Sequence, residues 1–325
     1  MSKIEKLSND SDKITVYLFL FLPAIMLILG YFLYPYPSSS FAQQLTFIPM
    51  YAGAIFLLIG FLLREKKIGR GLKIVGWFTF AFFWSTQPSH LYFSEGGDVF
   101  NAAVGIIGVY ALMYFAYHEW LAFKRNEYVN CLNWIAGVAS ICGLIYYIME
   151  NSSLAMILIR VVADQSVMVL NFLTNSSFAL GGNTFYGAIV NDINGSYVVT
   201  IIFACTAVQA MVLFVGLILA LNSIGIKKKI IGLLITIVPI YILNLLRNSM
   251  VVFLLGNKIT SFDIAHNVLS KAGALITLIV LLFVVFKIIP ELYDEIVCLI
   301  DLPKKKGPVE NFFAGLMGKK QNENR

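Results

Sequence analysis

The sequence predicts an all-α integral membrane protein. It has about eight transmembrane helices, with a small extracytoplasmic interfacial helix and a β-hairpin insert. Three observations carry this. Hydrophobic residues make up 59% of the 325, and charged residues only 13%, against about 25% in soluble domains. Mean hydropathy is +0.80. Apolar runs of about 20 residues, the length that crosses a bilayer core, recur along the chain, and basic residues cluster at every second gap between them.

Eight runs qualify: Ile14–Tyr34, Leu45–Leu63, Leu72–Tyr92, Val99–Leu121, Val129–Met149, Val199–Leu221, Ile230–Val252 and Ala272–Ile289. The first follows a polar start and lacks a small-residue cleavage site, so it reads as a retained span. The third is aromatic-rich and is interrupted by Gln87 and Pro88. One set of gaps, with the two ends, holds 20 of the 24 Lys and Arg residues, including Arg64, Lys124 and Lys227–Lys229. The alternate set holds only Arg160, Arg247, Lys258 and Lys271. By the positive-inside rule both termini are cytoplasmic, and segments 35–44, 93–98, 150–198 and 253–271 face outward. Residues 1–289 form one polytopic membrane domain. Residues 290–325 form a basic, solvated cytoplasmic tail whose "PKKKGP" meets anionic headgroups.

The outward segment 150–198 is not plain loop. Leu154–Leu173 is apolar but carries Arg160, Asp164 and Gln165. Charges are costly in mid-bilayer, so the stretch reads as a helix lying at the outer interface. In residues 183–198, "FYGAIV" and "SYVVTI" flank "NDING", a strong hairpin signal. Asn151, Asn175 and Asn194 each begin an N-x-S sequon.

Ionisable residues inside spans are functional candidates. Arg247 lies near the outer end of the seventh span, with Asn244 and Asn248 beside it. Taken alone, it is equally an arginine snorkelling to the headgroups. His266 precedes the eighth span from outside and taken alone reads as a loop histidine; His90 and His118 show no partner. Cys131, Cys142, Cys205 and Cys298 have no metal-site or disulfide spacing, and no cofactor or nucleic-acid partner is implied. A membrane cysteine is usually a small hydrophobe. Cys205, however, is the one cysteine toward the outer edge, at the level of Arg247 and His266. A thiol, a permanent cation and an imidazole in one layer are the inventory of covalent acyl transfer.

At these residues the chain resembles the exosortase/archaeosortase family, on its archaeosortase side. The resemblance rests on "ACTAVQA" around Cys205, "NLLRNSMVVFL" around Arg247, "AHNVLSKAG" around His266 and "FKIIPELYDEIVCLIDLP" after the last span. It implies a cysteine protease or transpeptidase of the cell membrane with its site at the outer face. Cys205 would be the nucleophile and form an acyl-thioester. Arg247 would be a proton donor or electrostatic stabiliser, and His266 a transition-state stabiliser or acid/base. Substrates of the family are C-terminal sorting-signal peptides of secreted or S-layer proteins, with a Pro-Gly-Phe-type motif, a transmembrane helix and a basic tail. The acceptor would be a membrane lipid with an amine headgroup. Two departures stand out: relatives carry Gly where Ala207 follows "CT", and the third basic position, here His266, is Arg in some archaeosortases. A transporter would instead show inverted repeats and midplane polar residues, and a non-catalytic scaffold would have an unreactive Cys205.

Overall fold

A computed structural model describes residues 3–37, 39–94, 99–184 and 186–316. Twelve α-helices and one small sheet are present among them. Seven helices are long and apolar enough to cross a membrane, among them Leu154–Thr174, which was expected to lie at the outer interface, and the chain is an all-α, multi-pass membrane protein with a three-stranded sheet. Large exposed apolar side chains such as Phe21, Phe100, Ile242 and Phe283 line these helices, as lipid-facing surfaces require.

The chain forms two compact units. The first holds residues 1–140 and 295–325. Its helices are α1 (Lys3–Leu33), α2 (Ser40–Leu62), α3 (Lys67–Ser85), α4 (Gln87–Ser94), α5 (Val99–Arg125) and the first half of α6 (Asn130–Glu150). Helices α2 and α3 approach closely through glycine: a Cβ on Gly53 would sit 2.8 Å from the Phe80 nitrogen, and one on Gly76 2.9 Å from that of Leu57. Backbone contact of this kind is how helices adhere without a hydrophobic driving force. The expected third span divides into α3 and α4 at Thr86, whose hydroxyl donates to the Phe83 carbonyl at 2.7 Å. Pro88 then opens the next helix, where its missing N–H does no harm. Charges at the start of α3 are satisfied inside the unit. Lys73 Nζ lies 2.8 Å from Glu119 Oε1, with both side chains almost fully buried. Arg70 donates to the Glu127 carbonyl and the Asn126 side chain.

Residues 290–316 are folded rather than solvated. They form α11 (Pro290–Ile300), a short 3-10 turn (Leu302–Lys305) and α12 (Pro308–Leu316), and Leu302 and Val309 are buried. Glu310 of α12 accepts hydrogen bonds from Tyr114 (2.8 Å), Tyr117 (2.9 Å) and the Gly307 nitrogen (2.8 Å), and its Oε1 lies 3.2 Å from His118 Nε2. Burial alone would raise this carboxyl, but hydrogen bonds from His118, Tyr114 and Tyr117 hold it down to about 2. His118 thus has a partner, 192 residues away. A second correction concerns the cysteines. Cys131 and Cys298 form a disulfide across a separation of 167 residues, a pairing that local spacing cannot reveal. The end of the basic tail, with Lys319, Lys320 and Arg325, lies outside the described residues, as do 95–98 of the outward segment 93–98 and Phe185 of the hairpin.

The second unit spans residues 141–294. It holds the rest of α6, α7 (Leu154–Thr174), the sheet, α8 (Val208–Leu219), α9 (Ile226–Gly256) and α10 (Lys271–Ile288). The expected hairpin forms from β2 (Gly187–Asn191) and β3 (Tyr197–Ile202), with Val190 opposite Val199 and Ala188 opposite Ile201. Asp192 Oδ1 accepts from the nitrogens of Asn194 and Ser196 and closes the turn, and Gly195 supplies the positive φ of 78°. A strand not foreseen, β1 (Ala179–Asn183), pairs with the other edge of β2. One sheet face, made by Ala188, Val190, Val199 and Ile201, packs on Ile159, Ala163, Val167 and Leu170 of α7. Those α7 residues recur every three to four positions, the period of one helix face. Arg160 and Asp164 lie on the exposed side of the same helix. Ser249 of α9 donates to the Ser166 carbonyl at 2.7 Å and ties α7 to α9.

Candidate active site

The run Val199–Leu221, expected as one span, has three parts: β3 to Ile202, a 3-10 turn at Phe203–Thr206, and α8 from Val208. The cause lies in the residues. Val198, Val199, Thr200, Ile201 and Ile202 are all β-branched, which favours a pleated strand and restricts χ1 in a helix. Helix resumes only after Ala207, which takes the left-handed conformation (φ 59°, ψ 11°) and caps α8. Within the turn, Thr206 Oγ1 donates to the Phe203 carbonyl at 2.7 Å.

Cys205 sits in that turn, half-buried and unbonded to other cysteines. It lies just ahead of the α8 N-terminus, whose dipole favours negative charge. The turn is held from α9. The side-chain amides of Asn244 and Asn248, both buried, each donate to the Cys205 carbonyl at 2.9 Å. Residues 244 and 248 are four apart and share one helix face, and Arg247 lies between them. Arg247 Nη2 donates to Asn248 Oδ1 at 3.2 Å, so one amide bridges the guanidinium and the Cys205 backbone. Arg247 Nε is buried without a partner among the described residues. The guanidinium is within electrostatic reach of both Cys205 and His266.

His266 arrives from a different direction. Residues Asp263–Ser270 form a π-helical turn that leads into α10, a geometry often found where a side chain must be re-aimed. The ring of Phe262 stacks on the imidazole at 5.0 Å between centroids, 12° from parallel. The three candidate residues therefore belong to one neighbourhood of the second unit. No hydrogen bond joins their functional groups to one another among the described residues. No group of three His, Cys, Asp or Glu side chains suited to a metal ion occurs there either.

The depth of this cluster follows from helix lengths. Lys229 Nζ donates to the Leu219 carbonyl, at the far end of α8, at 2.7 Å. From there α8 and the part of the turn up to Cys205 rise about 22 Å, and α9 from Lys229 to Asn248 about 28 Å. Cys205 is thus separated from the lysine cluster by most of a bilayer core of about 30 Å. Such an arrangement presents a thiol, a fixed cation and a titratable ring at one end of a membrane-length helix pair.

The sequence singles out Cys205, Arg247 and His266, and marks Asn244 and Asn248 only as neighbours of the arginine. Nothing in the sequence pairs those amides with the Cys205 backbone 39 and 43 positions away.

Two proteins of known name resemble the chain. It is 24% identical over 265 residues to archaeosortase A of Haloferax volcanii, covering 72% of this chain and 85% of that protein. It is 27% identical over 256 residues to archaeosortase A of Natronomonas pharaonis, covering 69% and 78%. No family model matches the chain, and no solved structure does.

Proposed function

From the archaeosortase family assignment that these two matches support, we propose that the chain is a membrane-embedded cysteine transpeptidase acting on sorting signals of secreted proteins. The observation that carries the reading is the double hydrogen bond from Asn244 and Asn248 to the Cys205 carbonyl, which fastens the thiol-bearing turn to the helix that carries Arg247. Termini are cytoplasmic and the site lies at the outer face. The excess of basic residues in alternate gaps supports this orientation. Helix α7 lies at the outer interface: it covers a sheet whose open edges have no place in hydrocarbon.

Chemistry follows in two displacements. Cys205 gives its thiol proton to His266, the resulting thiolate attacks the scissile carbonyl carbon, and the oxygen becomes an oxyanion stabilised by the Arg247 guanidinium. Arginine keeps its proton in proteins, so it stabilises charge. The C–N bond then breaks, the leaving amine takes a proton from His266, and an acyl-thioester remains on Cys205. The amine of a lipid headgroup, relieved of a proton by His266, attacks the thioester. A new C–N bond forms, the C–S bond breaks, and the thiolate returns.

The substrate is a C-terminal segment with a Pro-Gly-Phe-type motif, a transmembrane helix and a basic tail. Its helix, lying beside the enzyme's spans, brings the motif to the depth of Cys205. The test is a Cys205→Ala strain. Secreted proteins with such a segment are expected to accumulate at full length, and trapped wild-type enzyme to yield a substrate peptide linked to Cys205 by mass spectrometry. Normal processing in the mutant would refute the reading.

A further inference from the structure

Among the described residues the amides of Asn244 and Asn248 make no hydrogen bond to the Cys205 thiol or the His266 ring, yet both spend a donor on one backbone carbonyl. A carbonyl oxygen has two lone pairs, and here both are met by side chains from a neighbouring helix. Residues 203–206 form only a single short turn, between a strand and a helix capped by a strained Ala207. Such a turn has few hydrogen bonds of its own to fix it. Asn248 also accepts from Arg247 through its other amide atom. The position of the guanidinium and that of the thiol-bearing backbone are therefore set by the same side chain.

We infer that Asn244 and Asn248 are positioning residues: they clamp the Cys205 turn to α9 and so fix where its thiol sits relative to the Arg247 guanidinium. The inference rests on the reading of Cys205 as a reactive thiol and deepens it. Asn248 carries more of the effect than Asn244, because its loss frees the turn and also unpartners Arg247 Nη2.

The rate of Cys205 alkylation by iodoacetamide tests this. It is followed on the full-length protein in detergent from pH 6 to pH 10 and read on the Cys205 peptide by mass spectrometry. In Asn248→Leu the rate at pH 7 is expected to fall about tenfold, the equivalent of losing one hydrogen bond, while the rate at pH 10 stays near wild type. Asn244→Leu should show a smaller shift in the same sense. Ser249→Ala is the control. It breaks the neighbouring bond from α9 to Ser166 and lowers stability, and its pH profile should match wild type. The clamp is overturned if both leucine variants keep the wild-type profile, if they react faster at every pH as a merely loosened turn would, or if Ser249→Ala shifts the profile as they do. Should a leucine variant fail to fold, Asn244→Ser and Asn248→Ser ask the same question with a smaller change. No substrate enters this measurement. Normal processing in Cys205→Ala would defeat the transpeptidase reading while the pH profile still decides the clamp.

Discussion

Ala207 holds φ 59° and ψ 11° directly after the turn that carries Cys205. A left-handed backbone costs an L-residue about 1 kcal/mol or more, and glycine almost nothing. The glycine that the archaeosortase resemblance implies at this position therefore has a physical reason. Ala207→Gly is expected to raise the unfolding free energy by about 1 kcal/mol, seen as a higher thermal midpoint in detergent, with Cys205 still reactive. At His266 the expected outcome separates two roles. If the imidazole moves protons, His266→Gln and His266→Arg both lower turnover by about 10²- to 10⁴-fold. A cation that merely stabilises charge would leave His266→Arg active in a processing assay. The residues with candidate chemistry were readable because ionisable groups are rare in the apolar runs of this chain. The bonds that hold them were not, since an amide carries no mark of the carbonyl it will meet.

Helices and strands were legible to different degrees. Long spans such as α5 and α9 declare themselves by apolar length alone. The Val199–Leu221 run did not, because hydropathy cannot tell an apolar strand from an apolar helix. Its β-branched start was the signal, and it had already been claimed for the hairpin. Strand β1, "ALGGN", is glycine or asparagine at three of its five positions and gives no period. Helix α12 was hidden for another reason: it is held by polar contacts rather than a long apolar face. The Glu310 cage predicts its behaviour in acid. A carboxyl at about 2 when docked and near 4.5 when free stabilises docking fully above about pH 4.5, and that stabilisation, about 3 kcal/mol, is lost as pH falls toward 2. Proteolysis of the C-terminal segment should therefore accelerate below about pH 4, whereas Glu310→Gln should release α12 already at neutral pH. In α3, Lys73→Met leaves Glu119 buried and unpaired. A loss of about 3–5 kcal/mol is expected in denaturation, largely recovered by the double variant Lys73→Met/Glu119→Leu.

At the scale of the whole molecule, orientation is the quantity to measure. A single Asn194→Cys variant should react with a membrane-impermeant thiol reagent added to intact cells, and Lys228→Cys should not. The opposite result would invert the proposed topology. The Cys131–Cys298 disulfide joins segments that the charge rule places at the cytoplasmic face, where such bonds rarely persist. Peptide mapping of the unreduced protein is expected to recover the Cys131–Cys298 pair as one cross-linked peptide. The length match within the second unit has a further consequence. Cys205 is fastened to α9 near residue 248, and the far end of α8 is fastened to α9 at residue 229. The height of Cys205 is therefore calibrated by α9, as on a ruler graduated in helical residues. One residue inserted between the two fastenings would swing both amides about 100° away from the turn. Under the proposed function, a polypeptide lying alongside is cut only where its own span brings a bond to that fixed mark.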